Sequence, residues 1–397
     1  MLNRRTGYEA DIVIIGGGIA GASAAYELAR FASVIVVESE QHCGYHATGR
    51  SAASFSENYG NALIRRLAIA SRSFLENPPP GFCEHPLMKK CGMITIARED
   101  QSGLLTEELR HAREFVPSIT ALGPKSAIEL VPVLRPEYVA DAIIEPDSAA
   151  IDVHALHQGF LRQARARGAR VQTDANARAI EMHNGRWLVA TDQGSFSGSV
   201  LVNAAGAWAD RIAAMAGAAP VGLIPKRRSA FNIPAPEAAN VGNWPLVNDV
   251  GGQFYFKPDA GQILVSPADA TPSEPVDAFA DDLDIAIGVD RLERATTIQV
   301  RKVSNSWAGL RTFAADGSPV VGADEEVEGF FWLAGQGGYG IKTSSAMSRI
   351  CAELIQHQRM PDDLRRLGVD VADLAPGRFK AMGSPTSRQN GEWLHDN

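Results

Sequence analysis

The chain has 397 residues, enough for two domains with substantial cores. Apolar residues make up 45% and charged residues 21%, the profile of an ordinary soluble globular protein. The formal net charge of −8, with no basic stripe, excludes nucleic acid or an anionic membrane as the main partner.

The start, "MLNRRTGYEA", runs into a strand without an apolar signal segment, and no run of about eighteen apolar residues suggests an integral membrane segment. Cys43, Cys83, Cys91 and Cys351 show neither C-x-x-C spacing nor a disulfide framework, so no metal site is expected. A cytoplasmic, reduced location is the expectation.

Residues 11–15 are a buried β-run, 20–30 carry helix formers at apolar spacing, and 34–37 ("VIVV") form a second strand closing on Glu38. This is one βαβ unit of about thirty residues. Residues 49–60, "GRSAASFSENYG", follow with small and hydroxylated side chains, as a surface loop would, or a backbone passing close to something flat and large. Residues 61–140 are mixed, with a helical stretch "ALIRRLAIASRSFLE" and a Pro-rich break at 78–80. Residues 152–174 read as helix then strand, and "VLVNAAGAWAD" (200–210) as strand, small-residue turn and helix. Alternating β patterns fill 226–308, and "GFFWLAGQGGYGIKTSSAMSRICAELI" again gives strand, glycine-rich turn and helix.

The spacing Gly16-x-Gly18-x-x-Gly21, with Ile19 and Ala20 between its last two glycines, lets a backbone approach a pyrophosphate at a helix N-terminus. Glu38 follows Gly18 by about twenty residues, where a carboxylate can accept from ribose hydroxyls. FAD and NAD both fit this fingerprint. A second small-residue turn at Ala205, Gly206 and Trp208, and a third at Gly335, Gly337, Gly338, Tyr339, Gly340 and Ile341, would bring further backbone onto the same cofactor. That favours FAD. Lys342, in the first turn of the last helix, is placed to stabilise charge on a reduced flavin, or is simply a solvated lysine.

Taken together, the fingerprint with Glu38, "NAAGAW", "GLRTFAADGSPVVG" and "GQGGYGIK" resemble, in this order, the FAD-dependent D-amino acid oxidase family, which includes glycine and sarcosine oxidases. "GYHATGRSAA", "NPPPGFCEHPL", "DVHALHQGFLR", "PKRRSAF" and "FFWLAGQGGYGIKTS" resemble its bacterial D-arginine dehydrogenase branch. The resemblance spans about residues 9–375.

It implies an α/β architecture: a Rossmann-type FAD-binding domain with a discontinuous α+β substrate domain whose sheet roofs the flavin. The expected division is 1–60, 146–225 and 309–375 for FAD, 61–145 and 226–308 for substrate, and a loose tail at 376–397. It also implies cofactor contacts from Arg50, Ser51, Ala52 and Ala177, and non-covalent FAD, because Leu310 stands where some sarcosine oxidases carry an attachment cysteine.

Arg228 and Arg311 match the family's carboxylate clamp, Tyr59 and Tyr255 its cavity tyrosines, and the Gly338 carbonyl a support for the substrate amine. The implied reaction is hydride transfer from the Cα of an amino acid, with the D form expected, to the flavin. It gives an imino acid that hydrolyses to a 2-oxo acid and ammonia, and a quinone, an electron carrier or O2 then reoxidises the cofactor. A 2-hydroxy acid or N-substituted amino acid dehydrogenase, or the flavin subunit of a hetero-oligomeric oxidase, remain alternatives.

Three positions depart from the D-arginine dehydrogenases. Ser54 stands where they have a histidine, Gly92 or Met93 where a glutamate holds the guanidinium, and Asn248 where the residue is apolar. Glu57 is the nearby carboxylate, expected to face solvent. With Ser54, Asn248 and Tyr339 lining the substrate pocket, D-arginine is not the expected preferred substrate.

Overall fold

The computed structural model describes residues 7–236 and 240–382. A six-stranded sheet runs in the order Arg170–Gln172, Val34–Val37, Ile12–Ile15, Val200–Asn203, Phe330–Ala334, Val320–Ala323, parallel except for the last pair. Its inner strands Val34–Val37, Ile12–Ile15 and Phe330–Ala334 read as unbroken apolar runs because both faces are covered. Ile12 and Ile14 face a core shared with the helices Ile19–Leu28 and Gly340–His357, while Val13 and Ile15 face a second core against a four-stranded sheet.

A separate ten-stranded sheet carries Asn305–Phe313, Ile224–Pro234, Gln262–Ser266, Tyr255–Asp259, Leu246–Asp249, Met93–Ala97 and Asp141–Glu145 as successive neighbours. Period-two alternation sorts its faces. Phe231, Val265, Phe256 and Val247 enter one large core, whereas Ala230, Leu264, Tyr255 and Leu246 form a small cluster on the opposite face. That opposite face also carries the site residues described below.

Two of the expected domain limits need correction. The limit at 61 falls just before Ala62–Glu76, but Ile64 and Leu67 of that helix join the dinucleotide-fold core. The limit at 309 falls inside the strand Asn305–Phe313, which belongs wholly to the ten-stranded sheet. Of the expected loose tail, residues 376–379 are docked: Phe379 packs on the second core and Arg378 pairs with Asp316 at 2.8 Å. Residues 383–397 lie outside the described residues.

An aromatic cluster of Tyr26, Phe74, Phe82 and Phe160 ties the fingerprint helix to Ala62–Glu76 and Val153–Ala166. A Cβ on Gly159 would lie 2.4 Å from the Phe82 ring. Helix propensity favours alanine there by about 1 kcal/mol, but overpacking costs about 1–3 kcal/mol. We therefore expect Gly159→Ala to destabilise the protein, and Phe82→Ala to cost about 3–5 kcal/mol. In the Phe82→Ala background, Gly159→Ala should instead stabilise. Denaturant unfolding of the four proteins checks this, and equal losses in both backgrounds would contradict it.

Candidate active site

A cavity of about 600 Å³ runs between the two sheets, within the range of about 300–1,000 Å³ usual for ligand sites. Three neighbouring strands, Ile12–Ile15, Val200–Asn203 and Phe330–Ala334, end along one edge and pass into its wall. Gly16, Gly18, Ile19 and Ala20 come from the first, Ala205, Gly206 and Trp208 from the second, and Gly337, Gly338, Gly340 and Ile341 from the third. Arg50, Ser51, Ala52 and Ala177 also line it.

Two fingerprint glycines have no room for a side chain. Gly16 holds a φ of +105°, and a Cβ there would sit 2.4 Å from the Ala204 carbonyl oxygen. Gly21 does not line the cavity; a Cβ on it would meet the Gly16 carbonyl oxygen at 1.9 Å, so it serves helix-to-strand packing. Glu38 is buried and braces the loop: one oxygen accepts from the Gly17 N–H at 2.6 Å and the other from the Glu40 N–H at 3.0 Å. A carboxylate has lone pairs beyond these, and Glu38 still lines the cavity, so it can also accept from a ribose.

Two supports escaped the sequence reading. The Thr48 hydroxyl accepts from the Ile19 N–H at 2.9 Å, and His157, buried, sits with Nε2 2.9 Å from the Gly17 carbonyl oxygen. Burial holds the His157 imidazole below its ordinary pKa, favouring the neutral form. His157 lies far along the chain in "DVHALHQGFLR", and nothing local in that stretch marks it.

At the other end of the cavity the ten-stranded sheet forms the roof. Lys226 stands opposite Arg311 and Arg228 opposite Gly309, so period two puts both arginines on one face. Arg228, Arg311 and Tyr255 all line the cavity. Arg228 is held by its Nε, which donates to the Asp269 carbonyl oxygen at 2.6 Å, and Arg311 Nη1 donates to the Tyr59 hydroxyl at 3.4 Å. Burial and the Arg311 charge pull Arg228 below the ordinary guanidinium value, yet an arginine stays cationic at any working pH. Burial alone would raise the Tyr59 phenol, but Arg311 and Arg228 outweigh it and hold it below the ordinary tyrosine value. A Cβ on Gly338 would fall 2.8 Å from Arg311 Nη1, so the glycine lets the guanidinium lie against the backbone.

Several expected residues take other places. Gly335, at φ +69°, turns the chain beside Leu223 and Val320 rather than lining the cavity. Tyr339 packs its ring 5.1 Å from that of Tyr59, behind the wall. Ser54 pairs with Ala150 in a three-stranded ribbon and lines no cavity described here. Asn248 lines a separate pocket of about 40 Å³ that it shares with Tyr59, Glu145 and Glu108. Lys342 is neither solvated nor part of the large cavity: it is 3% exposed, with Nζ donating to the carbonyl oxygens of Ser56 and Tyr59. Glu57 pairs with Arg72 at 2.6 Å and is largely enclosed. Arg50 lines the cavity, but its guanidinium is spent on Asp277 and on the Ala278 and Ala308 carbonyl oxygens.

Fold and groove together define a dinucleotide-binding protein. A family model described as "FAD dependent oxidoreductase" matches residues 11–354, and the chain belongs to this family. The cofactor is therefore FAD, and the residues fit it: a first glycine turn that admits no Cβ at Gly16, a carboxylate beyond the fingerprint, and a long cleft ending under a sheet.

The chain is 26% identical over 389 residues to mitochondrial dimethylglycine dehydrogenase of Mus musculus, covering 90% of this chain but only 44% of that one. It thus spans less than half the length of that relative. It is 25% identical over 370 residues to glycine oxidase of Geobacillus kaustophilus, covering 89% and 95% of the two chains. The solved structure of that glycine oxidase superposes with a TM-score of 0.80 at 23% identity, covering 91% and 98%. L-proline dehydrogenase from P. horikoshii superposes with a TM-score of 0.79 at 22% identity, covering 95% and 99%. Among the described residues no helix is long and apolar enough to cross a membrane.

We expect Gly16→Ala to lose FAD, since both its backbone angle and the Ala204 carbonyl oppose a side chain. Purified protein with wild-type flavin content would contradict this.

Proposed function

We propose that the protein oxidises the Cα–N bond of an amino acid or N-substituted amino acid, with a D-amino acid as the first class to test. The observation that carries this reading is the pair Arg228 and Arg311 on one sheet face, opening into the same cavity as the fingerprint. Two like charges in a half-buried site repel each other, and a bound carboxylate relieves that repulsion while taking bidentate hydrogen bonds. Relatives named for glycine and dimethylglycine support an amine beside that carboxylate.

The chain's own groups bind and orient. Arg228 and Arg311 hold the carboxylate, the rings of Tyr59 and Tyr255 exclude water, and the Gly338 carbonyl receives the amine. The amine must be neutral to release its lone pair, and the site selects that form instead of supplying a dedicated base. FAD, bound without a covalent link, supplies the hydride acceptor. The product imino acid hydrolyses to a 2-oxo acid and ammonia, or to a 2-oxo acid and the corresponding amine when the substrate nitrogen is substituted.

D-Arginine is not the favoured substrate. No acid stands at Gly92 or Met93, and Glu57 is already committed to Arg72. A cationic side chain would forgo a charge-assisted hydrogen bond of about 1.5–3 kcal/mol.

Anaerobic mixing with D-, L- and N-methyl amino acids and with 2-hydroxy acids tests the reading. Bleaching of the flavin by at least one amine substrate is expected. Bleaching by 2-hydroxy acids alone, or by nothing, would refute it. Arg311→Lys loses the planar fork and should lower kcat/KM by about 10–150-fold, mainly through KM. Unchanged kcat/KM would remove Arg311 from the clamp.

A further inference from the structure

The turn from Ser56 to Tyr59 is gripped from two sides. From the ten-stranded sheet, Glu145 at the end of Asp141–Glu145 accepts from the Ser56 hydroxyl at 2.7 Å and from the Glu57 N–H at 3.1 Å. From the dinucleotide-fold side, Lys342 of Gly340–His357 donates to the Ser56 carbonyl oxygen at 2.8 Å and to that of Tyr59. Inside the turn, the Tyr59 N–H donates to the Ser56 hydroxyl at 3.1 Å. Glu145 and Lys342 are each only 3% exposed. Neither lines the large cavity, but what they hold leads to it, because the Tyr59 hydroxyl accepts from Arg311.

We propose that Glu145 and Lys342 are positioning residues, which together clamp the 56–59 turn so that the Tyr59 hydroxyl meets Arg311 at the end of the cavity. Two buried ionisable groups are expensive unless each is paired and hydrogen-bonded. Here they serve each other as counter-charges, with Arg65 and Glu57 also close to Lys342. Burial raises the Glu145 carboxyl and lowers Lys342 to about 7, while the Ser56 and Glu57 donors and the Lys342 charge work against the first shift and the Glu145 charge against the second. A lysine whose ammonium is spent on two carbonyls of one turn is a clamp. The clamp draws one jaw from each sheet system, so it also sets Tyr59 relative to both.

The consequence for substrate rests on the reading of Arg311 as part of a carboxylate clamp; the Tyr59–Arg311 contact can be measured without it. In the oxidised holoenzyme, the ionisation of Tyr59 is followed by ultraviolet difference spectroscopy against a Tyr59→Phe reference. The charged and titratable groups around Tyr59 are Arg311, Arg228 and Lys342, the Tyr339 ring packed on it, and Glu108 and Glu145 in the small pocket it shares. Ser56→Ala changes no charge but removes the hydroxyl that links Glu145 to the turn. Glu145→Ala removes both acceptors together with a negative charge, and Glu145→Gln keeps one acceptor for the Glu57 N–H, with an amide NH2 that can donate to the Ser56 hydroxyl oxygen, while removing the charge.

Loss of positioning moves Tyr59 away from Arg311, so its pKa should rise by about one pH unit in Ser56→Ala and Glu145→Ala. Simple removal of a negative charge would lower it instead. Glu145→Gln should stay at or below the wild-type value. If Tyr59 titrates as in the wild type, or lower, in Ser56→Ala and Glu145→Ala, the proposal fails. Should Glu145→Ala not fold, Ser56→Ala alone decides. Flavin that no amino acid can reduce would refute the proposed activity and leave this titration intact.

Discussion

Three adjacent parallel strands deliver their ends to one edge of a sheet, and each continues as a turn of glycine and alanine. Close approach of three backbones to one ligand is the constraint on which the rest depends. It explains why Gly16 faces the Ala204 carbonyl with no space for a methyl group. It also explains the residues spent behind the turns, where Glu38, Thr48 and His157 satisfy loop N–H and carbonyl groups that would otherwise be unpaired.

The second sheet supplies what the first lacks. Its period-two alternation sends Phe231, Phe256 and Val265 into an apolar core and leaves Arg228, Tyr255 and Arg311 on the cavity side. Two arginines on a roof are unfavourable alone, and tyrosine hydroxyls and carbonyl oxygens temper their repulsion. In the proposed function a carboxylate would complete the arrangement and carry its Cα toward the flavin. Chemistry and fold meet at Gly338, which belongs to the last glycine turn and lies against the Arg311 guanidinium.

Much of this was legible in the sequence, because glycine spacing, apolar strand runs and the arginine-bearing strands are local signals. Gly16, Gly18, Glu38, Arg228, Tyr255 and Arg311 all line the large cavity. What failed was side-chain direction across long sequence distances. Lys342 reads as a first-turn helix lysine, and only the folded chain shows the Ser56 and Tyr59 carbonyls that it meets. Glu145 ends an ordinary strand, Ser54 sits in a short ribbon away from the large cavity, and Asn248, opposite Tyr255 on the same sheet face, lines the adjoining small pocket instead. Ala62–Glu76 reads as the start of an insertion, but its apolar stripe is claimed by the dinucleotide-fold core. Tertiary contact overrode chain order in each case.

The central claim is that the arginine pair binds a carboxylate beside the flavin. Titrating the oxidised holoenzyme with a simple carboxylic acid and with its amide, while recording the flavin absorption spectrum, tests this most directly. The account predicts saturable perturbation by the acid, none by the amide, and loss of the effect in the Arg228→Met/Arg311→Met double variant. Equal responses to acid and amide, or an undiminished response in the double variant, would contradict it.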